Sequence, residues 1–184
     1  MKHIIVLLPL LFFAAACGNK AAKETQKAEP KKVVTQTYGT EKGASSAAAN
    51  ATKTQAQIDE EKIQAYVKAN KLKKVQKTAS GVHYLIETEG TGASPTLTDK
   101  VKVHYRGTLL DGTEFDSSYA RNEPISFPLT GVIKGWQDGI PMLKKGGKGK
   151  LLIPSELAYG SRNMGKISPN SVLIFDVELL DILK

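Results

Sequence analysis

The chain has 184 residues, 41% hydrophobic and 24% charged, which allows one domain of ordinary size plus appendages; its one cysteine excludes an internal disulfide. The net charge of +8 is unevenly spread: residues 18–78 hold 13 Lys, no Arg and 6 acids, whereas residues 79–184 hold 12 basic and 12 acidic residues. A charge-balanced folded part argues against nucleic acid as a partner, which would need Arg and aromatic side chains on one basic face.

Lys2 precedes an apolar run from Ile4 to Phe13 and the small residues Ala14, Ala15 and Ala16. Residues 1–16 thus have signal-peptide architecture, and the run falls short of the ~20 residues that span a bilayer. Small residues directly before Cys17, with Gly18, Asn19 and Lys20 after it, resemble a bacterial lipobox, although Ala14 stands where Leu is usual. The resemblance implies cleavage before Cys17 and acylation of that residue. Several acyl chains, at about 0.8 kcal/mol per buried methylene, would anchor the protein in a membrane. The expected location is the cell envelope, at the periplasmic face of the outer membrane or at the cell surface. Residues 17–53 are rich in Ala, Lys, Thr, Ser and Gln and poor in large apolar residues. Such a segment cannot bury enough surface to offset its ordering entropy, so it reads as a flexible tether.

Residues 54–78 read as an N-terminal helix. Thr54 and Gln57 have capping-box spacing. The acids Asp59, Glu60 and Glu61 lie early and Lys71, Lys73 and Lys74 lie late, as the helix dipole favours. Ile58, Ala65, Ala69 and Leu72 recur near helical spacing, with Ile63, Tyr66 and Val67 beside them, which predicts a helix from Gln55 to Lys74. The stripe is thin and lacks sustained heptads. It allows either a spacer packed on its own domain or a homodimer contact.

After Ser80-Gly81 the pattern becomes that of strands. Val82 to Ile86 is β-rich, and Val101, Val103 and Tyr105 alternate with Lys102, His104 and Arg106. Asp111-Gly112 marks a hairpin turn into Thr113–Asp116. Strands are also expected over 125–127, 150–153 and 172–180, with a brief helix from Gly135 to Leu143. Many short strands around one short helix predict an α+β domain over residues 79–184, built on an antiparallel sheet.

Familiar catalytic patterns are missing. His83 and His104 lack ligand spacing. Asp116-Ser117-Ser118 lacks the context of a nucleophile elbow. Gly146-Gly147-Lys148-Gly149 lacks phosphate-loop spacing. What remains is a set of aromatics with one acid and one arginine: Tyr105, Phe115, Asp116, Arg121, Phe127, Trp136, Tyr159 and Phe175. Taken as composition alone, these rings would be ordinary core.

Their order suggests more. V-H-Y-R-G-T-L-L-D-G-T-E-F-D-S-S, then G-V-I-K-G-W-Q-D-G-I, A-Y-G-S-R and L-I-F-D-V-E-L-L resemble the FKBP-type peptidyl-prolyl cis-trans isomerases. The similarity runs from about Val101 to Ile182. With the leader and the helix before the domain, it looks like the bacterial secreted lipoprotein form of that family. The resemblance implies a curved sheet wrapped over one helix and a pocket between them. It implies that Trp136 is the pocket floor, Tyr105, Phe115 and Phe175 its walls, and Phe127 a deep contact. Val132 and Ile133 would line the entrance with backbone available to a peptide. Tyr159 would offer its hydroxyl to a substrate carbonyl, Ile167 would be a further substrate contact, and Asp116 would be a buried acid held by Arg121 and Tyr105. The implied partners are proline-containing segments of exported proteins and macrolide inhibitors; no metal or cofactor is implied. The sequence departs from the family's pattern at Ile125, where an aromatic is common, and across 163–169, which is shortened and carries Lys166 and Ser168. Substrate preference and macrolide affinity stay open at those positions. A non-catalytic proline-binding module would use the same pocket, whereas a membrane-tethered scaffold would need the helix from Gln55 to Lys74 to bind a partner.

Overall fold

In the computed structural model, residues 53–183 are described; Cys17, the leader and the expected tether as far as residue 52 lie outside them. The strands form where alternation is strongest. β1 (Gln76–Lys77), β2 (His83–Thr88), β3 (Lys100–Thr108), β4 (Glu114–Ser117), β5 (Ile125–Pro128), β6 (Lys148–Ile153) and β7 (Leu173–Leu183) make one antiparallel sheet. Its order is β1-β2-β6-β7-β3-β4, and β5 lies beside the first half of β3. Register shifts interrupt the ladders at Ile86/Thr88, Lys102/Val103 and Gly107/Thr108. Each such irregularity bends its strand and increases local twist, which curves the sheet.

The expected alternation of β3 is present: Val101, Val103 and Tyr105 are buried while Lys102, His104 and Arg106 are not. The Asp111-Gly112 turn closes as its residues predict, with Gly112 at φ 87. Phe175, Val177 and Leu179 of β7 face the same core. That core also receives α2 (Lys134–Gly139), through Trp136, and the 3₁₀ turn that follows it (Ile140–Met142), through Ile140. The expected single helix to Leu143 divides there because Pro141 has no N–H to continue the α-helical ladder.

Glycine brings α2 onto the sheet. A methyl group at Gly135 would lie 2.2 Å from Ile153 Cγ2, and one at Gly139 would lie 2.8 Å from Leu151 Cδ1. The two glycines, four residues apart, share a helix face. With no side chains on that face, the helix backbone rests directly on β6.

The other face of the sheet is covered by α1 (Gln55–Ala69). In the β6–β7 ladder Leu151 pairs with Phe175 and Leu152 with Ile174. Alternation points successive side chains to opposite faces. Leu151 and Phe175 therefore face α2, while Leu152 packs with Ile63 of α1 and Val172. The capping box at Thr54 and Gln57 is fully formed. The helix stops before the expected Lys74, because Asn70 caps it and Lys71 turns left-handed at φ 53. None of the three acids lies in its first turn, so they do not serve the dipole there; Asp59 is instead fully buried. Ile63, Tyr66 and Val67 pack on the helix's own domain, and Gln57, Glu61, Gln64 and Lys68 are exposed. Among the described residues no helix is long and apolar enough to cross a membrane.

Candidate active site

Between α2 and the concave sheet lies a hollow of about 560 Å³. Trp136, carried on the first turn of α2 and only 5% exposed, forms its floor. Aromatic rings enclose the indole. Tyr105 from β3 meets it edge-on at 5.1 Å between centroids, Phe175 from β7 edge-on at 5.0 Å, and Phe127 from β5 tilted at 5.1 Å. Phe115 from β4 stands edge-on to Phe175 at 5.5 Å. Offset and edge-to-face pairs of this kind each add about 0.5–1.5 kcal/mol beyond the area they bury. Gly107 makes the Phe115–Phe175 contact possible: a methyl group there would lie 2.6 Å from Phe115 and 2.9 Å from Phe175.

One polar cluster borders these rings. The Tyr105 hydroxyl donates to Asp116 Oδ2, and Arg121 donates from Nη1 to Asp116 Oδ1 at 2.5 Å and from Nη2 to the Tyr105 oxygen at 3.0 Å. Burial pushes the Asp116 carboxyl up, but the bonds from Tyr105 and Arg121 outweigh it and hold the group below its usual range. Burial raises the Tyr105 phenol, and the neighbouring Asp116 adds to that. The acid is not the buried one expected from sequence. Its side chain is 43% exposed, because β4 is the edge strand of the sheet.

Tyr159 also lines the hollow, just beyond the 3₁₀ turn Ser155–Leu157. Its hydroxyl makes no hydrogen bond to a described residue, and the Arg162 guanidinium lies 6.0 Å from its ring centroid. Val132 and Ile133 line the mouth. The Val132 carbonyl accepts from Gln137 Nε2 at 2.8 Å, whereas the Ile133 N–H has no partner among the described residues. The buried Trp136 Nε1 is likewise without one.

The structure therefore brings Tyr105, Phe115, Asp116, Phe127, Val132, Ile133, Trp136, Tyr159 and Phe175 around a single hollow. Arg121 does not line it but reaches it through Asp116. Ile167 is 6% exposed within the core cluster and is not among the lining residues. Ile125 and Gly131 line the hollow without having been singled out as site residues. Ile125 could have been found from strand alternation, since it lies two residues from Phe127 on the same face; Gly131 carries no such signal. His104 bonds Ser118 Oγ at 2.8 Å and stacks on Tyr119, away from the lining set. Among the described residues no group of three or more His, Cys, Asp or Glu is placed to hold a metal ion. The hollow is lined by no His, Cys or Ser. It offers an apolar cage with one unengaged hydroxyl and one unengaged backbone N–H at its edge.

Residues 92–180 match the family described as FKBP-type peptidyl-prolyl cis-trans isomerase. The chain is 52% identical over 127 residues to the FKBP-type peptidyl-prolyl cis-trans isomerase FkpA of Aeromonas hydrophila, covering 68% of this chain and 47% of that relative. It is 54% identical over 112 residues to FkpA of Escherichia coli strain K12, covering 61% of this chain and 42% of the relative. Among solved structures, FkpA from Escherichia coli matches with a TM-score of 0.62 at 49% identity, over 67% of this chain and 58% of that one. AtFKBP13 matches with a TM-score of 0.56 at 39% identity, over 60% of this chain and 99% of that one. The chain spans less than half the length of the two curated FkpA relatives.

Proposed function

Because the chain belongs to the FKBP-type peptidyl-prolyl cis-trans isomerase family, we propose that its aromatic hollow accelerates rotation about X-Pro bonds in exported proteins. The observation that supports this reading most is the cage of rings around Trp136, bordered by the unengaged Tyr159 hydroxyl.

Rotation about an X-Pro bond meets a barrier of about 20 kcal/mol, because amide resonance must be lost. No covalent bond breaks, so neither a nucleophile nor a proton relay is required. The twisted amide is less polar than the planar one, since charge no longer delocalises onto its oxygen. A site that excludes water therefore favours the twisted transition state over the planar ground state. In this reading the proline ring lies on Trp136, between Tyr105, Phe127 and Phe175. The Ile133 N–H and the Tyr159 hydroxyl hold substrate carbonyls, so that one side of the bond is fixed while the other turns. Asp116, oriented by Tyr105 and Arg121, supplies field and orientation and transfers no proton. Macrolide inhibitors would occupy the same cage.

The same reading puts the domain at the cell envelope, on a tether whose Cys17 carries lipid. Spontaneous X-Pro isomerisation takes tens to hundreds of seconds, slow enough to limit the folding of exported chains. The mechanism consumes no ATP. A protease-coupled assay on a proline peptide tests the activity. Acceleration well above background is expected, and its absence, with peptide still bound, would make the protein a holder of proline segments instead. Metabolic labelling with a fatty-acid analogue tests the anchor; label that persists in a Cys17→Ala variant would overturn it.

A further inference from the structure

Asp59 is an acid of α1 with no solvent exposure and no cationic partner among the described residues. Burying a carboxylate is costly unless hydrogen bonds replace the lost water. Three donors do so here. Gln55 Nε2 donates to Asp59 Oδ1 at 2.7 Å, and Ser155 donates to Oδ2 twice, from its backbone N–H at 2.8 Å and its hydroxyl at 2.6 Å. Ser155 is itself fully buried, 96 residues further along the chain.

The carbonyl of Ser155 has a second task. It accepts from the Ala158 N–H at 3.0 Å and from the Gly160 N–H at 2.8 Å. These two amides flank Tyr159. Ser155 is thus gripped by Asp59 at its nitrogen and hydroxyl, and grips both neighbours of Tyr159 with its oxygen. Hydrophobic packing through Ile63 alone would seat α1 on the sheet; it would not fix Ser155.

We propose that Asp59 is a positioning residue for the isomerase site, setting the place of the Tyr159 hydroxyl through Ser155. The helix before the domain is on this view part of the active site's frame. The inference rests on the isomerase reading above and adds to it a residue on the far face of the sheet. A displaced hydroxyl loses much of its effect, since errors near 1 Å at a reacting centre can cost up to ~100-fold.

The test uses the full chain with Asp59→Ala, Asp59→Asn, Ser155→Ala and Tyr159→Phe. Asp59→Ala should lower kcat/KM on a proline peptide roughly tenfold. Asp59→Asn should stay near wild type, because the amide oxygen can receive both Ser155 donors and Gln55 can turn its own oxygen toward the new NH₂. Ser155→Ala, which leaves the backbone bond, should fall between. The Asp59→Ala, Tyr159→Phe double variant should lose no more than Tyr159→Phe alone, since both act on one hydroxyl. Amide exchange supplies a readout that does not depend on catalysis: the Gly160 N–H should lose protection in Asp59→Ala and keep it in Asp59→Asn. If Asp59→Ala does not fold, Ser155→Ala decides: wild-type kcat/KM with an equally protected Gly160 N–H in that variant would overturn the proposal. An Asp59→Ala chain with wild-type kcat/KM and a protected Gly160 N–H would overturn the proposal, as would losses that multiply in the double variant. An inactive wild-type chain would instead sink the isomerase reading and leave the Gly160 exchange to decide the coupling.

Discussion

Gly135→Ala separates packing from helix propensity, because the two predict opposite signs. Ala is the better helix former by up to ~1 kcal/mol, so propensity alone predicts a gain in stability. In the folded protein, however, the new methyl group would lie 2.2, 2.7 and 2.9 Å from three side-chain carbons of the fully buried Ile153. Carbon atoms pack best at about 3.5–4.0 Å, so α2 or Ile153 must retreat by more than 1 Å. Overpacking of this kind costs about 1–3 kcal/mol, and the severity of the closest contact puts this case at the upper end. After the propensity gain a net loss of about 2 kcal/mol remains. The retreat would also lift Trp136, the next residue and the floor of the hollow. Urea unfolding at neutral pH measures the loss, and the fluorescence of Trp136, the only tryptophan, reports the displacement. Ile153→Ala removes all three clashing carbons, at its own cost of about 2–5 kcal/mol. The double variant should then be more stable than the sum of the singles predicts, by about 1–2 kcal/mol. A Gly135→Ala chain as stable as wild type, with additive effects in the double variant, would refute the close seating of α2 on β6.

Three further outcomes follow from the site and its surroundings. Asp116→Ala leaves Tyr105 and Arg121 without their acceptor; because the acid is half-exposed and partly screened, kcat/KM should fall only about three- to tenfold. Unchanged catalysis would remove Asp116 from the mechanism. The pH profile of kcat/KM should be flat from about pH 5 to pH 8. Asp116 is held below 3.8, against the push of burial, by Tyr105 and Arg121, and burial with Asp116 holds Tyr105 above 10.0. A bell-shaped profile would point to a proton-transfer step. Stability, unlike rate, should respond to acid through His83. Burial lowers its pKa below 6.5, with Lys77 in the same direction and Glu60, 3.3 Å away, opposing. Well above pH 6.5 both states are neutral at this residue. As pH falls below that value the unfolded chain takes up a proton that the folded one refuses, so stability drops by at most about 1.4 kcal/mol per pH unit. The drop levels off once the folded His83 also titrates. Glu60, whose carboxyl is lowered despite burial by bonds from Lys77 and Gln64, adds a separate loss below 4.5. Unfolding midpoints between pH 7 and pH 5 should fall for wild type and less for His83→Gln; equal slopes would exclude His83 as the source.

The sequence by itself determined what depends on neighbours along the chain. Alternation in β3 assigned Val101, Val103 and Tyr105 to the core, Asp111-Gly112 marked its turn, and Thr54 with Gln57 marked where α1 begins. These are signals of period and backbone preference, and they act within a few residues. The order of the aromatic motifs pointed to the rings that surround Trp136. Tertiary structure decided the rest. The end of α1 at Ala69 rather than Lys74 is the exception, set locally by Asn70 as cap and by the left-handed Lys71. Asp116 stayed half-exposed because β4 is an edge strand, and Ile167, in the loop before β7, went into the core. Asp59 read as a charge for a helix terminus and became the buried acceptor of a serine 96 positions away. That pairing exists only once β6 and β7 have joined to form the face on which α1 lies, and no local pattern encodes a contact between segments that meet only through a completed sheet.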